Sequence, residues 1–450
     1  MKMNQKVIAL ALGALLSAQF AWAAVTPEEA ARLKRDLTPF GAEKAGNKEG
    51  TIPAWDGGYT KVPAGYQSGD PRPDPFANEK PLFSITAKNM DQYADKLAEG
   101  TKALLKKYPT YRVDVYPTHR TAAAPQWVFD NTFKNSTRAK TTRGGYGVEG
   151  AYGGIPFPIP KDGYEAMHNH RLKWNGVTNT HSFENYTGNS DGKHVLVTKG
   201  QSTYQFPYYD KNGSLETFKG LYEQWFVQQT DPPFKSGEAF IIHDYVDQPR
   251  QAWQYLTGQR RVRKAPTIGY DTPDDVNSGQ QYFDEAFVFL GDLDRYEWKL
   301  IGKKELYIPY NDNKYVQKSP EERLAPYHLN PDVLRWELHR VWVVEATLAP
   351  GKRHVVPKRR FYLDEDTWGA VIGEGWDAQG QLWRTNHSTP HILFEAQRNE
   401  MAYPLVVYNL LTGTFVSSGF NLSKGNIYKS VPRVPDSYFT PDALAGQGIR

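Results

Sequence analysis

The sequence predicts a mainly β fold with a few helices, its strands forming an antiparallel meander that curls into an incomplete barrel. Three observations carry that reading. Aromatic residues make up 14% of the chain, with 28 Tyr, 21 Phe and 12 Trp among 450 residues, and such side chains favour strands and apolar binding surfaces. From about residue 193 onward, apolar and polar residues alternate in runs separated by short turns, the pattern of consecutive strands joined as hairpins. Ahead of those runs lie segments of helical periodicity whose apolar stripe needs a partner surface, most simply an open sheet face.

Taken in order, the chain opens with Lys2 and Lys6 beside an apolar run over 7–20 that ends in Ala21-Trp22-Ala23. This is the arrangement of a secretory signal peptide, with cleavage expected after Ala23 (domain 1–23), and its core is too short to span a bilayer. Losing those two lysines lowers the formal charge from +4 to +2, too near neutral for a nucleic-acid partner. No later stretch approaches ~18 uninterrupted apolar residues, so no membrane span is expected. Cysteine is absent. That removes disulfides, thiolate nucleophiles, Cys-ligated zinc and a lipid-modified cysteine at the cleavage site.

Residues 24–192 read as helices and extended segments that pack on the sheet. Thr26-Pro27-Glu28-Glu29 has a capping threonine, a first-turn proline and the glutamate of a capping box, which starts a short helix expected to run to about Leu37. Pro53, Pro63, Pro71, Pro73, Pro75 and Pro81 then forbid regular structure. Trp55, Tyr59, Tyr66 and Phe76 among them indicate an extended segment lying on the body, since a disordered linker carries fewer aromatics. Over 86–108, Met90, Tyr93, Leu97, Leu104 and Tyr108 fall near one helical face, with Gly100 weakening the middle. Gly145, Gly147 and Gly150 have the spacing of a dinucleotide fingerprint. Without a strand before them and with Pro156, Pro158 and Pro160 after them, they read as a glycine-rich surface loop. A short helix is expected over 162–170. His168, His170 and His181 read as core or solvated histidines, because no carboxylate stands at metal-motif spacing.

The half-barrel is expected over 193–430, followed by a Pro-rich polar tail, 431–450. In WQYLTGQRRVRKAP (253–266), Trp253 and Tyr255 alternate with Gln254, Thr257-Gly258 turns the chain, and Arg260, Arg261, Arg263 and Lys264 form a second arm too cationic to bury. AFVFLGDLDRYEWKLIGKKELYIPY (286–310) reads as further strand carrying Phe287, Phe289 and Trp298. WELHRVWVVEATL (336–348) puts Trp336, Leu338, Trp342 and Val344 on one face and Glu337, His339 and Glu345 on the other, a half-buried strand. Phe361 follows, then turns at 364–366 and 377–380. The triplet Asp364-Glu365-Asp366 reads as turn chemistry, where Asp serves the backbone.

No nucleophile, metal or cofactor motif of recognised spacing occurs, so no catalytic residue, metal or cofactor is expected. The curved face instead suits an apolar ligand, with Trp253, Tyr255, Phe287, Phe289, Trp298, Trp336, Trp342 and Phe361 as its candidate lining. Arg260, Arg261 and Arg263 suit an anionic headgroup or an acidic partner surface. They suit equally a charged edge that prevents sheet-to-sheet aggregation.

GTIPAWDGG (50–58), EKPLFSITAKNMDQYADKLAEG (79–100), VYPTHR (115–120), GQRRVRKAP (258–266), GDLDRYEWKLIGKKELYIPYN (291–311), ELHRVWVVEATL (337–348) and FYLDEDTW (361–368) resemble domain-of-unknown-function family 1329, across nearly the whole mature chain. The resemblance implies a fold like the periplasmic carriers LolA and LolB, an incomplete antiparallel β-barrel with helices covering the concave face. It also implies an RND-type exporter and an outer-membrane barrel as partners. The expected function is therefore a soluble periplasmic carrier or chaperone for lipid or other hydrophobic molecules. Two readings stay open beside it: a periplasmic hydrolase using Asp or Glu chemistry, and an adapter of an envelope transport complex that binds no small ligand.

Overall fold

Two meanders merge into one open sheet. The computed structural model describes residues 25–68, 70–420 and 428–447; the expected signal peptide and its cleavage site lie outside them. The first meander runs through β1 (Thr178–Gly188), β2 (His194–Gln205), β3 (Leu221–Asp231), β4 (Ala239–Tyr245), β5 (Gln251–Leu256) and β6 (Arg261–Lys264). The second runs through β7 (Tyr296–Pro309), β8 (Trp336–Leu348), β9 (Lys358–Asp364), β10 (Ala370–Trp376), β11 (Leu382–Ser388), β12 (Leu405–Asn409) and β13 (Thr414–Phe420). β13 pairs antiparallel with β1, from Phe415↔Gly188 to Phe420↔Phe183. The spatial order is thus β7 through β13 and then β1 through β6, with three short strands added and β6 left unpaired on its outer side. The sheet is antiparallel and mainly β as expected, and it does not close into a barrel.

The sheet already begins at Thr178, ahead of the expected start at 193. Most residues of β1 are Asn, Thr, Ser or Glu, with Phe183 and Tyr186 its large apolar side chains, yet nearly all are buried, so hydrophobic alternation does not reveal the strand. β8 departs from expectation in the other sense. Glu337 and His339, assigned to a solvated face, are 0% and 1% exposed, because chain segments cover that face and supply Arg335 and Asn311 as partners.

The helix expected over 86–108 divides. Met90–Lys96 is a 3₁₀ helix, Leu97 and Ala98 are extended, and α1 (Glu99–Lys107) follows. Gly100 is the cause of the tight seat. A Cβ there would stand 2.1 Å from Thr385 Oγ1, and its N–H donates to Glu374 at 2.7 Å, so glycine lets the helix start touch β10 and β11. α2 (Gln126–Arg138) lies in a stretch where no helix is expected. Asn135 of α2 donates to the carbonyls of Tyr152 and Gly154. The glycine-rich loop that follows is therefore buried at 151–158 and is not the surface loop the sequence suggested. α3 (Gly163–Arg171) is capped by Asp162, whose side chain accepts from Glu165 N at 2.9 Å. α4 (Pro441–Gln447) ends the described chain. Phe439 and Leu444 are 0% exposed and pack with Phe226, Ile241 and Tyr255, so the polar tail is anchored to β3–β5.

Residues 265–295 join β6 at one edge to β7 at the other by crossing a face of the sheet. The stretch 286–295, expected as strand, belongs to this crossing. Phe287 and Val288 have φ of 56° and 69°, a left-handed conformation that no strand contains.

Candidate ligand-binding site

The crossing segment acts as a strap. Ala265 N bonds Ala252 O of β5 at its start. Further along, Asn277 Oδ1 accepts from Asn185 of β1 at 2.9 Å. Glu285 Oε2 accepts from Arg384 of β11 at 2.7 Å, and Asp284 Oδ2 from Arg359 of β9 at 2.7 Å. These partners are strap-facing residues of strands across the whole sheet. The strap is thus tied down by charge-assisted bonds at its far half and held by a neutral amide–amide bond at its middle.

Between strap and sheet lies a small apolar chamber, open to solvent at its mouth. Phe183, Tyr204, Trp225, Phe240, Leu405 and Ser418 line it from the sheet, and Val276, Ala286 and Phe287 from the strap. The sheet contribution comes from six neighbouring strands, β12, β13 and β1 to β4. Laid flat they would span about 24 Å, so the sheet curls around the chamber. Burial pushes the Asp274 carboxyl in its wall up to about 7, and burial takes His181 down to about 3, leaving it neutral. The chamber therefore carries little net charge near neutral pH, as suits an apolar occupant.

A second small chamber adjoins it, sharing Tyr204, Phe287 and Tyr403 as common walls. Its character is different. Lys173, just beyond α3, and Glu223, on β3 two residues before Trp225, face it, and they are 6% and 5% exposed. Lys173 Nζ donates to the His170 carbonyl at 3.2 Å. Neither Lys173 nor Glu223 forms an ion pair among the described residues, and Glu223 accepts no hydrogen bond there. Burial lowers the Lys173 ammonium and raises the Glu223 carboxyl. Tyr222 Oη and Arg171 Nε, also at this chamber, are buried without a partner.

The sequence-expected lining separates in three dimensions. Phe287 stands in the wall between the chambers, its ring 5.4 Å from Tyr204 and 5.3 Å from Trp225. Phe289 borders the second chamber and packs against Trp298 and Phe361 at 5.1 and 5.5 Å. Trp342 stacks on Trp368, and Trp336 lies 5.7 Å from His387. Trp253 and Tyr255 face the side away from the strap, toward Phe439 and Leu444. Arg261 and Arg263 are exposed on the edge strand β6, and Arg260 is exposed in its turn. Lys173, Glu223, Trp225 and Leu405 were missed. The i, i+2 spacing of Glu223 and Trp225 was a usable signal, placing a carboxylate on the same strand face as an indole.

Among the described residues, His339, Asp364 and Asp366 bring donor atoms within 4.8 Å of one another, all buried. Arg120 occupies both Asp366 oxygens, at 2.8 and 2.6 Å. Lys303 and Arg340 reach Glu365 at 2.9 and 3.2 Å. Three protein cations thus match Glu365 and Asp366, and Asp364 Oδ2 accepts from Tyr310 and Thr367; with both Asp366 oxygens taken by Arg120, the cluster fits a metal poorly. His168, His170 and His181, read from the sequence as core or solvated, are all buried, and His168 bonds Gly145 O and His170 bonds Phe289 O.

A family model described as "Protein of unknown function (DUF1329)" matches residues 84–445. The chain is 39% identical over 436 residues to the uncharacterized protein PA3922 of Pseudomonas aeruginosa, covering 95% of each. Among solved structures it is similar to a DUF1329 family protein from Desulfovibrio piger, at 15% identity and a TM-score of 0.43, covering 63% of this chain and 97% of that one. It is also similar to the LolA superfamily protein NE2245 from Nitrosomonas europaea, at 12% identity and a TM-score of 0.38, covering 63% of this chain and 100% of that one.

Proposed function

The chain belongs to the DUF1329 family, and on that footing we propose that it is a periplasmic carrier or chaperone for a lipid or another hydrophobic molecule. The observation that carries this reading is the apolar chamber beneath the strap. Each 100 Å² of apolar ligand surface buried there contributes about 2.5 kcal/mol, so binding needs no covalent chemistry. Phe287 forms its movable wall and Phe289 the floor of the next chamber, and these two of the sequence-selected aromatics belong to the proposed site. The strap ends are anchored to opposite sheet edges. Loading proceeds by displacement of the strap just past its Asp284 and Glu285 tethers, where Phe287 and Val288 hold strained left-handed φ values. The RND-type exporter and outer-membrane barrel implied by the sequence resemblance are the proposed donor and acceptor. Arg260, exposed in the turn, and Arg261 and Arg263, exposed on the edge strand, are the proposed contact for an acidic surface of either.

Native mass spectrometry of protein gently purified from the periplasm tests the carrier. The expected result is a co-purifying lipid-sized mass, together with quenching of Trp fluorescence by an added apolar probe. Protein that arrives ligand-free and also ignores fluorescent fatty-acid probes overturns it.

A further inference from the structure

The second chamber says what kind of molecule the first one takes, if the carrier reading holds. Its charged groups come from every surrounding element. From α3 and the residues after it come Arg171 and Lys173; from β3, Glu223; from β4, Asp244; and from the segment after β11, Arg398 and Glu400. Asp244 is gripped by Arg250 through two bonds of 2.8 and 2.9 Å, and Glu400 by Arg398 through two bonds of 3.0 Å. Those two acids are matched. Glu223 is raised by burial toward its neutral form. What remains are two incompletely bonded cations: the Lys173 ammonium, with one carbonyl partner and attracted by Glu400 and Glu223 without an ion pair to either, and the Arg171 guanidinium near Asp292, whose Nε lacks a hydrogen-bond partner.

A buried ammonium with no acid in contact is costly, and so is a buried donor without an acceptor. Both are relieved by an incoming oxyanion. We propose that this chamber is a headgroup pocket for the carboxylate of a chain-bearing acid, whose apolar tail passes Phe287 into the adjoining aromatic chamber. Lys173 pairs with the carboxylate. Protonated Glu223 and the Tyr222 hydroxyl supply hydrogen-bond donors to it. A ligand with a cationic head meets Lys173 and Arg171 as like charges, and a neutral alcohol leaves Lys173 unpaired.

The test compares decanoate, decanol and decylammonium for binding to the full mature protein at pH 7, read by titration calorimetry. Decanoate is expected to bind at least tenfold more tightly than decanol, and decylammonium most weakly. In Lys173→Met the ratio of decanoate to decanol affinity falls toward one, whereas in Glu223→Gln, which keeps a donor, the preference persists. Equal binding of the three probes to the unmodified protein, or a preference for decylammonium, overturns the head pocket while leaving the carrier standing. Failure of all three to bind overturns the carrier reading with it. The comparison on unmodified protein decides the matter even where a Lys173 variant does not fold.

Discussion

Glu374 shows what burial does to a single carboxyl in this protein. It is 3% exposed, accepts from Gly100 N at 2.7 Å and from Tyr362 Oη at 3.0 Å, and burial pushes it up from 4.5 to about 7. A carboxyl raised on folding stabilises the native state below its unfolded value, and that contribution is lost as pH rises through the folded one. Replacement by glutamine keeps an acceptor for Gly100 and cannot ionise. Glu374→Gln is therefore expected to match or fall below the parent in stability at pH 4.5 and to exceed it at pH 8, a relative change on the order of 3 kcal/mol. Thermal melts of both proteins across that range check it. A stability difference that stays flat with pH overturns the assignment. The same physics acts at Asp274 and Glu223, so the chamber walls are charged less at neutral pH than their side chains suggest.

The strap is the element on which the site depends, and its backbone carries a distinct signature. At φ 56° Phe287 occupies a conformation that a Cβ disfavours by about 1 kcal/mol or more and that glycine adopts freely. The ordinary order of substitutions should then invert. Phe287→Gly is expected to be about 1 kcal/mol more stable than Phe287→Ala in urea unfolding, although both lose the ring between the chambers and fall below the parent. An alanine variant as stable as the glycine one removes the strained strap from the loading argument. The 364–366 turn contrasts with the strap. There Arg120, Lys303 and Arg340 converge on the adjacent acids Glu365 and Asp366, and the segment 43–45 is bonded to the same arginines through its carbonyls. Acidic side chains that read as turn chemistry thus also clamp the N-terminal segment to the sheet.

For the molecule as a whole, both faces of one open sheet are covered by its own chain. The strap and α3 take one face, while α1 and the C-terminal residues take parts of the other. Removing 436–450 uncovers Phe226, Ile241 and Tyr255 on strands β3, β4 and β5, an apolar strip next to an unpaired edge strand. The truncated protein is expected to bind an apolar dye strongly, to melt several degrees lower and to self-associate in light scattering. A truncated protein that stays monomeric and dye-free shows that α4 contributes nothing to the sheet. The exposed arginines of β6 gain a second use in this setting, since charge on an edge strand opposes strand-to-strand association.

Much of this architecture is local in origin and therefore legible in the chain. Alternation at period two and short turns give the meander, and the capping residues give the starts of the first helix and of α3, because each depends on neighbours within a few residues. Trp253 and Tyr255 mark where that legibility stops. Alternation puts them on one face of β5, but which face borders the strap depends on a segment entering from 265 and a helix arriving from 441. β1 was hidden for a related reason: its buried polar side chains are satisfied by partners far along the chain, such as Asn277 for Asn185. Lys173 and Glu223 stand fifty residues apart and meet only because α3 and β3 lie against one cavity. Sequence pattern reports the period of a strand and the start of a helix; long-range packing assigns the faces, creates the chambers, and leaves one lysine and one glutamate buried without their usual partners.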